Sequence, residues 1–130
     1  MKILVSGGTG FVGQAVTEQL VALGHDVHTI GRNPTSIDDG VKNQTHHTLD
    51  LTKDDLPKSL LQDTEIFFHI AAKAGIWGPY SEFFNANVIA TRKILKACQY
   101  YRIPKLIYTS TPSVVFSEKP IRNGTETLPY

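Results

Sequence analysis

Scarcity sets the outer limits of this chain of 130 residues. It has one cysteine, Cys98, so no internal disulfide can form, and a reducing, cytoplasmic setting is expected. Cys98 lies in a helix-like stretch and reads as a small core residue. Charge of either sign is also lacking in excess: 13 Lys and Arg stand against 12 Asp and Glu, a net +1. Nothing in that balance drives binding to nucleic acid or to an anionic membrane. No apolar run is long enough to span a bilayer, and the chain reaches Gly7 too soon for the apolar region of a signal peptide. There are no repeats and no low-complexity tract. The adjacent pair His46-His47 is the one hint of a metal site, and neighbours in a strand face opposite ways, so both are read as structural and no metal is expected.

What is present is a single domain's worth of chain, 41% hydrophobic, organised around residues 2 to 13, KILVSGGTGFVG. The apolar run Ile3-Leu4-Val5 breaks into a glycine-rich turn, and an amphipathic stretch begins near Phe11. Strand, glycine turn and helix in that order form the phosphate-binding opening of a dinucleotide fold. One glycine supplies backbone angles that a Cβ forbids, and another lets the main chain touch a pyrophosphate. The helix then aims free N–H groups and its positive dipole end at that charge. Two registers fit: Gly8, Gly10 and Gly13 as G-x-G-x-x-G, or Gly7, Gly10 and Gly13 as G-x-x-G-x-x-G. Spacing alone leaves both open.

Further along, Phe11, Val12, Ala15, Val16, Leu20 and Leu23 recur at helical spacing, and Gly24 stands where a C′ glycine belongs. A strand over Asp26 to Ile30 follows. An acid is missing at its end, where an NAD-type site holds the ribose 2′-hydroxyl. Gly31 and then Arg32 stand there instead. A carboxylate repels a 2′-phosphate, whereas a guanidinium pairs with it, so Arg32 is read as a selector for NADP. Residues 33 to 45 are turn-rich, with Asn33-Pro34 and Asp38-Asp39-Gly40. A third strand is predicted over His46 to Leu49, ending at Asp50. Thr52-Lys53-Asp54-Asp55 reads as a capping-box variant opening a short helix.

Ile66 to Ile70 is a fourth, strongly apolar strand. It runs into Ala71-Ala72-Lys73-Ala74-Gly75, small residues that either admit a flat ligand or simply fit under a crossover helix. The longest helical pattern covers 81 to 101, with Phe84, Val88, Thr91, Leu95 and Cys98 on one face. Pro104 stops it, and Lys105 to Ser110 is the fifth strand. Thr109, Ser110, Thr111 and Ser113 crowd its carboxyl end, where ligands of open parallel sheets bind; such hydroxyls either hold a substrate oxygen or cap a loop. Phe116 to Tyr130 is polar and carries Pro120 and Pro129. The fold class expected is α/β, a Rossmann-type doubly wound parallel sheet with strand order 3-2-1-4-5.

Several stretches together resemble the extended short-chain dehydrogenase/reductases: SGGTGFVG at 6 to 13, LDLT at 49 to 52, FHIAAKAG at 68 to 75, NVIAT at 87 to 91 and YTSTPSVVF at 108 to 116. AAKAGIWG at 71 to 78 and NGTETLPY at 123 to 130 are similar to the 3β-hydroxysteroid dehydrogenase-like branch, which includes sterol-4α-carboxylate dehydrogenases and bacterial 3-oxoacyl or ketone reductases. The resemblance implies the Gly7, Gly10, Gly13 register, with Phe11 and Val12 at positions whose backbone meets the pyrophosphate. It implies that Asp50 holds the adenine amino group with Leu51 beside it. Ala71 and Ala72 would run along the ribose, and Asn87 would lie near the nicotinamide. Thr111 matches the catalytic hydroxyl, with Ser110 and Ser113 as the alternatives. The cofactor implied is NADP, with NAD as the alternative.

One departure outweighs the rest. The family's acid–base pair is Tyr-x-x-x-Lys on a helix after this segment. Tyr101 and Lys105 have the spacing but straddle Pro104, which breaks the shared helix face that the chemistry needs. The family pattern puts the pair, and the later strands of the sheet, beyond Tyr130. Residues 1 to 130 are therefore expected to be the cofactor-binding part of a longer NAD(P)-dependent dehydrogenase or reductase, inactive alone. The implied partner is a small-molecule substrate, and the implied assembly a homo-oligomer. The rival readings are a nucleotide-sugar epimerase or dehydratase and a non-catalytic NADP-binding or sensing module.

Overall fold

The computed structural model describes residues 1–34, 42–115 and 120–128. Strands β1 (Lys2–Ser6), β2 (Asp26–Gly31), β3 (Gln44–Thr48), β4 (Ile66–His69) and β5 (Lys105–Tyr108) form one sheet in the order β3-β2-β1-β4-β5. Every pairing is parallel. This is the Rossmann-type order that the alternating pattern predicts. β1 lies at the centre, and Ile3, Leu4 and Val5 are all fully buried, as a strand covered on both faces requires.

The two faces are covered unequally. On one, Leu4, Ile30 and Phe67 meet Leu60 and Leu61 of α2 (Lys58–Leu61) and Ala90, Ile94 and Cys98 of α4 (Ala90–Tyr100). On the other, Ile3, Val5 and Val27 meet Leu20 and Val21 of α1 (Phe11–Ala22). α1 ends at Gly24 (φ 79°), where His25 N–H reaches Leu20 O and Gly24 N–H reaches Val21 O, a Schellman closure. The apolar stripe expected to bury α1 is largely in water: Phe11 is 96% exposed, and only Gly13 and Thr17 are buried. Glycine and threonine are what the close approach of helix to strand leaves room for. The stripe instead borders a shallow apolar groove with Phe68 of β4.

Three expectations need correction. Thr52 opens no helix; residues 51 to 53 form a turn, and the helix begins at Lys58 after Pro57. The cause is local: Asp50 Oδ1 accepts both the Thr52 N–H (3.0 Å) and the Thr52 hydroxyl (2.7 Å), so the threonine side chain has no backbone to cap. The long helix is three pieces, α3 (Tyr80–Phe84), a π-helical turn (Asn85–Ile89) and α4. The wider turn, with Ala90 N–H bonded to Asn85 O, shifts the buried face to Ala90, Ile94 and Cys98 and leaves Leu95 exposed. Strands β3, β4 and β5 also end one or two residues earlier than the pattern implies. The Asp38-Asp39-Gly40 turn, Phe116 and Pro129-Tyr130 lie outside the described residues.

Candidate functional site

The carboxyl ends of β1, β2 and β4 bring the glycine turn, Arg32 and the Ala71 loop to one edge of the sheet. Of the two registers, the left-handed backbone falls on Gly7 (φ 74°). A Cβ there would come within 2.8 Å of the Ala71 nitrogen, so only glycine lets the β1 turn lie against the loop after β4. Gly13 is buried, and a Cβ on it would collide with the Gly7 carbonyl oxygen. Gly8 is small for a different reason, since its Cβ would strike Thr29 on β2. Gly10 caps α1 with no side chain of its own. Gln14 N–H is the first to reach back, to Gly10 O at 2.8 Å. The N–H groups of Phe11, Val12 and Gly13 are thus left at the open helix end without an intrahelical acceptor. That is a backbone cradle with positive polarity and no side chain in the way.

Arg32 is exposed directly after β2. Asp50, two residues past β3, is held below the usual carboxylate range, first by its bond from the Thr52 hydroxyl and then by Thr52 N–H, Lys53 and Arg32. Its Oδ1 is committed to Thr52, and Oδ2 lies 3.8 Å from Lys53 Nζ. Leu51 is buried in the core beneath it. The N–H of Ala71 donates to Ser6 O at 3.0 Å, and Ala72 is exposed. Asn87, in the π-helical turn, grips the same loop twice: its Oδ1 accepts from Lys73 N–H (2.7 Å) and its Nδ2 donates to Lys73 O (3.0 Å). Beyond that grip the loop carries exposed Ile76 and Trp77 between Gly75 and Gly78. The Lys73 ammonium turns back to Glu82 (2.9 Å) and over the Phe83 ring.

Thr111 lies past the carboxyl end of β5, the strand beside β4. It precedes the 3₁₀ turn Pro112–Val115, is exposed, and shares hydrogen bonds at 3.3 Å with the Ser113 N–H and hydroxyl. Tyr101 caps α4 and Lys105 opens β5, on different elements as Pro104 implies. His46 and His47 do point to opposite faces: His46 bonds Thr29 Oγ1 (2.8 Å) and His47 meets His28 (2.9 Å). Among the described residues no three His, Cys, Asp or Glu side chains are arranged to hold a metal, and no helix is long and apolar enough to cross a membrane.

A polar row beneath the loop, centred on buried His69, carries no motif in the sequence. His69, the last residue of β4, is 1% exposed and touches Ser6 of β1 and Thr91 of α4. Burial pushes its imidazole pKa down to about 4. Its signal was a lone histidine inside Phe67-Phe68-His69-Ile70, where a polar residue in an apolar strand must find partners.

The chain matches the model of the 3-beta hydroxysteroid dehydrogenase/isomerase family over residues 4–130. It is 39% identical over 137 residues to the 2-alkyl-3-oxoalkanoate reductase of Stenotrophomonas maltophilia (strain K279a), covering 100% of this chain and 40% of that protein. To the human (Homo sapiens) sterol-4-alpha-carboxylate 3-dehydrogenase, decarboxylating, it is 37% identical over 132 residues, covering 99% of this chain and 34% of that one. Among solved structures it resembles MoeE5 in complex with UDP-glucose and NAD, with TM-score 0.82 and 25% identity over 94% of this chain and 40% of that one. It also resembles the UDP-glucuronic acid 4-epimerase from Bacillus cereus in complex with NAD, with TM-score 0.76 and 28% identity over 92% of this chain and 43% of that one. The chain thus spans two fifths or less of the length of these curated relatives.

Proposed function

Because the chain belongs to the 3-beta hydroxysteroid dehydrogenase/isomerase family, we propose that residues 1–130 form the cofactor-binding part of an NAD(P)-dependent oxidoreductase. Its substrate class is a 3-hydroxy or 3-keto group on a steroid-like or long-chain apolar molecule. The observation that carries the reading is the cradle at the end of β1: Gly7 held against Ala71, Gly13 against Gly7, and the open N-terminus of α1. A Cβ at Gly7 would press on Ala71 and one at Gly13 on the Gly7 carbonyl, so only glycines allow the tight turn that leaves the α1 N–H groups open, and the residues present fit a dinucleotide.

In this reading Gly7, Gly10 and Gly13, with the N–H groups of Phe11 and Val12, bind the pyrophosphate. Asp50 and Leu51 border the adenine, Ala71 and Ala72 the ribose, and Asn87 the nicotinamide side. Arg32 pairs with a 2′-phosphate and makes NADP the preferred form. The bound dinucleotide supplies hydride chemistry. The Thr111 hydroxyl, exposed beside the 3₁₀ turn, is assigned to orient the substrate oxygen. No Tyr-x-x-x-Lys pair on a shared helix occurs in these 130 residues, so this chain binds and orients but has no positioned tyrosine–lysine pair to move the proton. Turnover of a 3-ketone by the pure chain above the level of a Thr111→Ala variant would overturn that division.

The competing substrate class is a nucleotide sugar, favoured by the likeness to MoeE5, solved with UDP-glucose and NAD, and to the Bacillus cereus UDP-glucuronic acid 4-epimerase, solved with NAD. Exposed Ile76 and Trp77 on the loop after β4 favour an apolar substrate instead. The test is fluorescence titration of the chain with NADPH and NADH, then with a UDP-sugar or a 3-keto steroid added. Saturable cofactor binding, strengthened by the steroid and not by the UDP-sugar, is expected. Absence of binding to both cofactors overturns the reading.

A further inference from the structure

Beneath the proposed cofactor loop, four polar side chains from four elements are joined in one row, buried at Ser6 and His69 and half-buried at Thr91 and Asn87. Ser6 Oγ lies 2.7 Å from His69 Nδ1, and His69 Nε2 lies 2.9 Å from Thr91 Oγ1. Thr91 Oγ1 donates to Asn87 O at 2.7 Å. Asn87 then holds both backbone groups of Lys73. At the other end, Ala71 N–H lies 3.0 Å from Ser6 O and 3.4 Å from Ser6 Oγ.

The partners decide where each hydrogen sits. A carbonyl cannot donate, so the single Thr91 hydroxyl hydrogen goes to Asn87 O. Thr91 Oγ1 must therefore accept from His69, and His69 carries its proton on Nε2. Nδ1 is then bare and accepts the Ser6 hydroxyl hydrogen, which leaves Ser6 Oγ free to accept from Ala71 N–H. Each hydroxyl and ring N–H in the row has one acceptor, the Ala71 N–H is shared between Ser6 O and Ser6 Oγ, and no buried side-chain nitrogen or oxygen among the described residues lacks a partner. Such a row has one direction. Reversing any hydroxyl strands a buried donor or acceptor elsewhere in it.

The geometry points to His69 as a positioning residue: its Nε2-protonated ring links Ser6 of β1 to Thr91 of α4 and so fixes both ends of the Ala71–Lys73 loop against the glycine turn. The inference rests on the dinucleotide-binding reading above. The mechanism is rigidity. Ala71 lies so near the glycine turn that a Cβ on Gly7 would meet its nitrogen at 2.8 Å, and Asn87 sits in a π-helical turn braced by the Thr91 bond to its carbonyl. The Tyr108 ring lies over His69 from β5 with centroids 5.4 Å apart, so the imidazole is also held from the side. His69 touches no cofactor atom in this scheme. It sets the loop that does.

The test uses Thr91→Val, which keeps the shape and removes the hydroxyl, with Thr91→Ser as the conservative rescue. His69→Phe removes both ring bonds at once; if that variant fails to fold, the threonine pair still decides the question. Two readouts need no cofactor. Ring ¹⁵N spectra of the wild-type chain should show a neutral Nε2–H imidazole. Backbone amide exchange at Ala71 and Lys73 should speed up about tenfold in folded Thr91→Val, the equivalent of one buried hydrogen bond, and return in Thr91→Ser, while exchange at Leu4 stays put. The third readout is NADPH titration, in which Thr91→Val should weaken binding about tenfold and Thr91→Ser should match wild type. An Nδ1–H or cationic ring overturns the inference. So do wild-type exchange rates in Thr91→Val, or a Thr91→Ser as impaired as Thr91→Val. A wild-type chain that binds neither cofactor overturns the proposed function instead, and the exchange data still decide the link.

Discussion

Phe67 and Phe68 are neighbours on β4, yet one is wholly buried and the other borders an open groove. They look toward opposite faces of the same sheet. Phe67 meets Leu4, Ile30 and the helices α2 and α4. Phe68 meets the smaller cluster of Ile3, Val5 and Val27, which α1 covers only along β1 and β2. The same apolar strand therefore stands in two solvents. Strand composition cannot tell the faces apart, because both read as hydrophobic; what differs is whether the helices supplied by the chain reach that far. The covered face carries the fold and its buried polar row. The open face carries apolar side chains that the described residues cover only in part.

The sharpest way to break this comparison is truncation on each side. Phe67→Ala should cost about 3–5 kcal/mol, the range for a buried aromatic, and Phe68→Ala less than half as much. Urea unfolding with the slope monitored measures both. Equal losses would mean that the open face is covered in solution.

The buried row on the covered face responds to acid. His69 titrates near 4 in the fold and near 6.5 unfolded. Its folded pKa is depressed, so the unfolded chain binds the proton first as pH falls. Stability is full above about 6.5 and declines from there to about 4, by roughly 3 kcal/mol for this group alone. His47, also lowered by burial and by His28, His46 and Lys2, pulls the same way. The difference in stability between pH 7 and pH 4.5 should shrink clearly in His69→Phe; an unchanged pH slope would place the acid sensitivity elsewhere.

Much of this is legible in the sequence. Strand order followed from apolar runs alternating with helical patterns, and Gly24 ended α1 as its position implied, because both are set by local backbone chemistry. The π-helical turn was invisible. Its sequence, Asn85 to Ile89, is ordinary helix, and the extra residue per turn accompanies the grip of Asn87 on Lys73, a tertiary contact. That is why Leu95 was placed on the buried face and Ile94 was not. Thr52 opens no helix because the competing partner, the Asp50 side chain, satisfies its hydroxyl and N–H instead. Of the residues proposed for the site, the glycines are legible because sterics demand them. Arg32 and Thr111 are legible only by position, since each is an exposed side chain that packing does not dictate.

Arg32 offers the next, smaller test, on the rim between the faces. Losing one charge-assisted phosphate contact costs roughly 1.5–3 kcal/mol. Arg32→Ala should weaken NADPH by about that much and leave NADH nearly unchanged, with no loss of melting temperature, since the side chain is exposed. Equal weakening of both cofactors would remove Arg32 as the selector.

The smallest stability effect is expected where the side chain is largest. Phe11 is 96% exposed, so folding removes almost none of its ring from water, and Phe11→Gln should change unfolding stability by no more than about 0.5 kcal/mol. Its effect should appear in association instead. Phe11, Val12 and Val16 on α1 continue into Phe68, and Ile107 is also exposed on β5, which pairs with β4 alone among the described residues. An apolar flank beside a strand edge with unpaired N–H and C=O groups recruits a second chain. Lys105 is the only charge in that strand, and it stands at the far end from Ile107 and Tyr108. Light scattering over a dilution series should therefore show the wild-type chain associating with concentration, and Phe11→Gln shifted toward monomer at equal stability. An Ile107→Lys variant should shift it further, because the charge falls on the edge itself. A wild-type chain that stays monodisperse at high concentration and melts cooperatively would mean that this face is covered by the chain's own residues, and the contrast between Phe67 and Phe68 would then be one of degree.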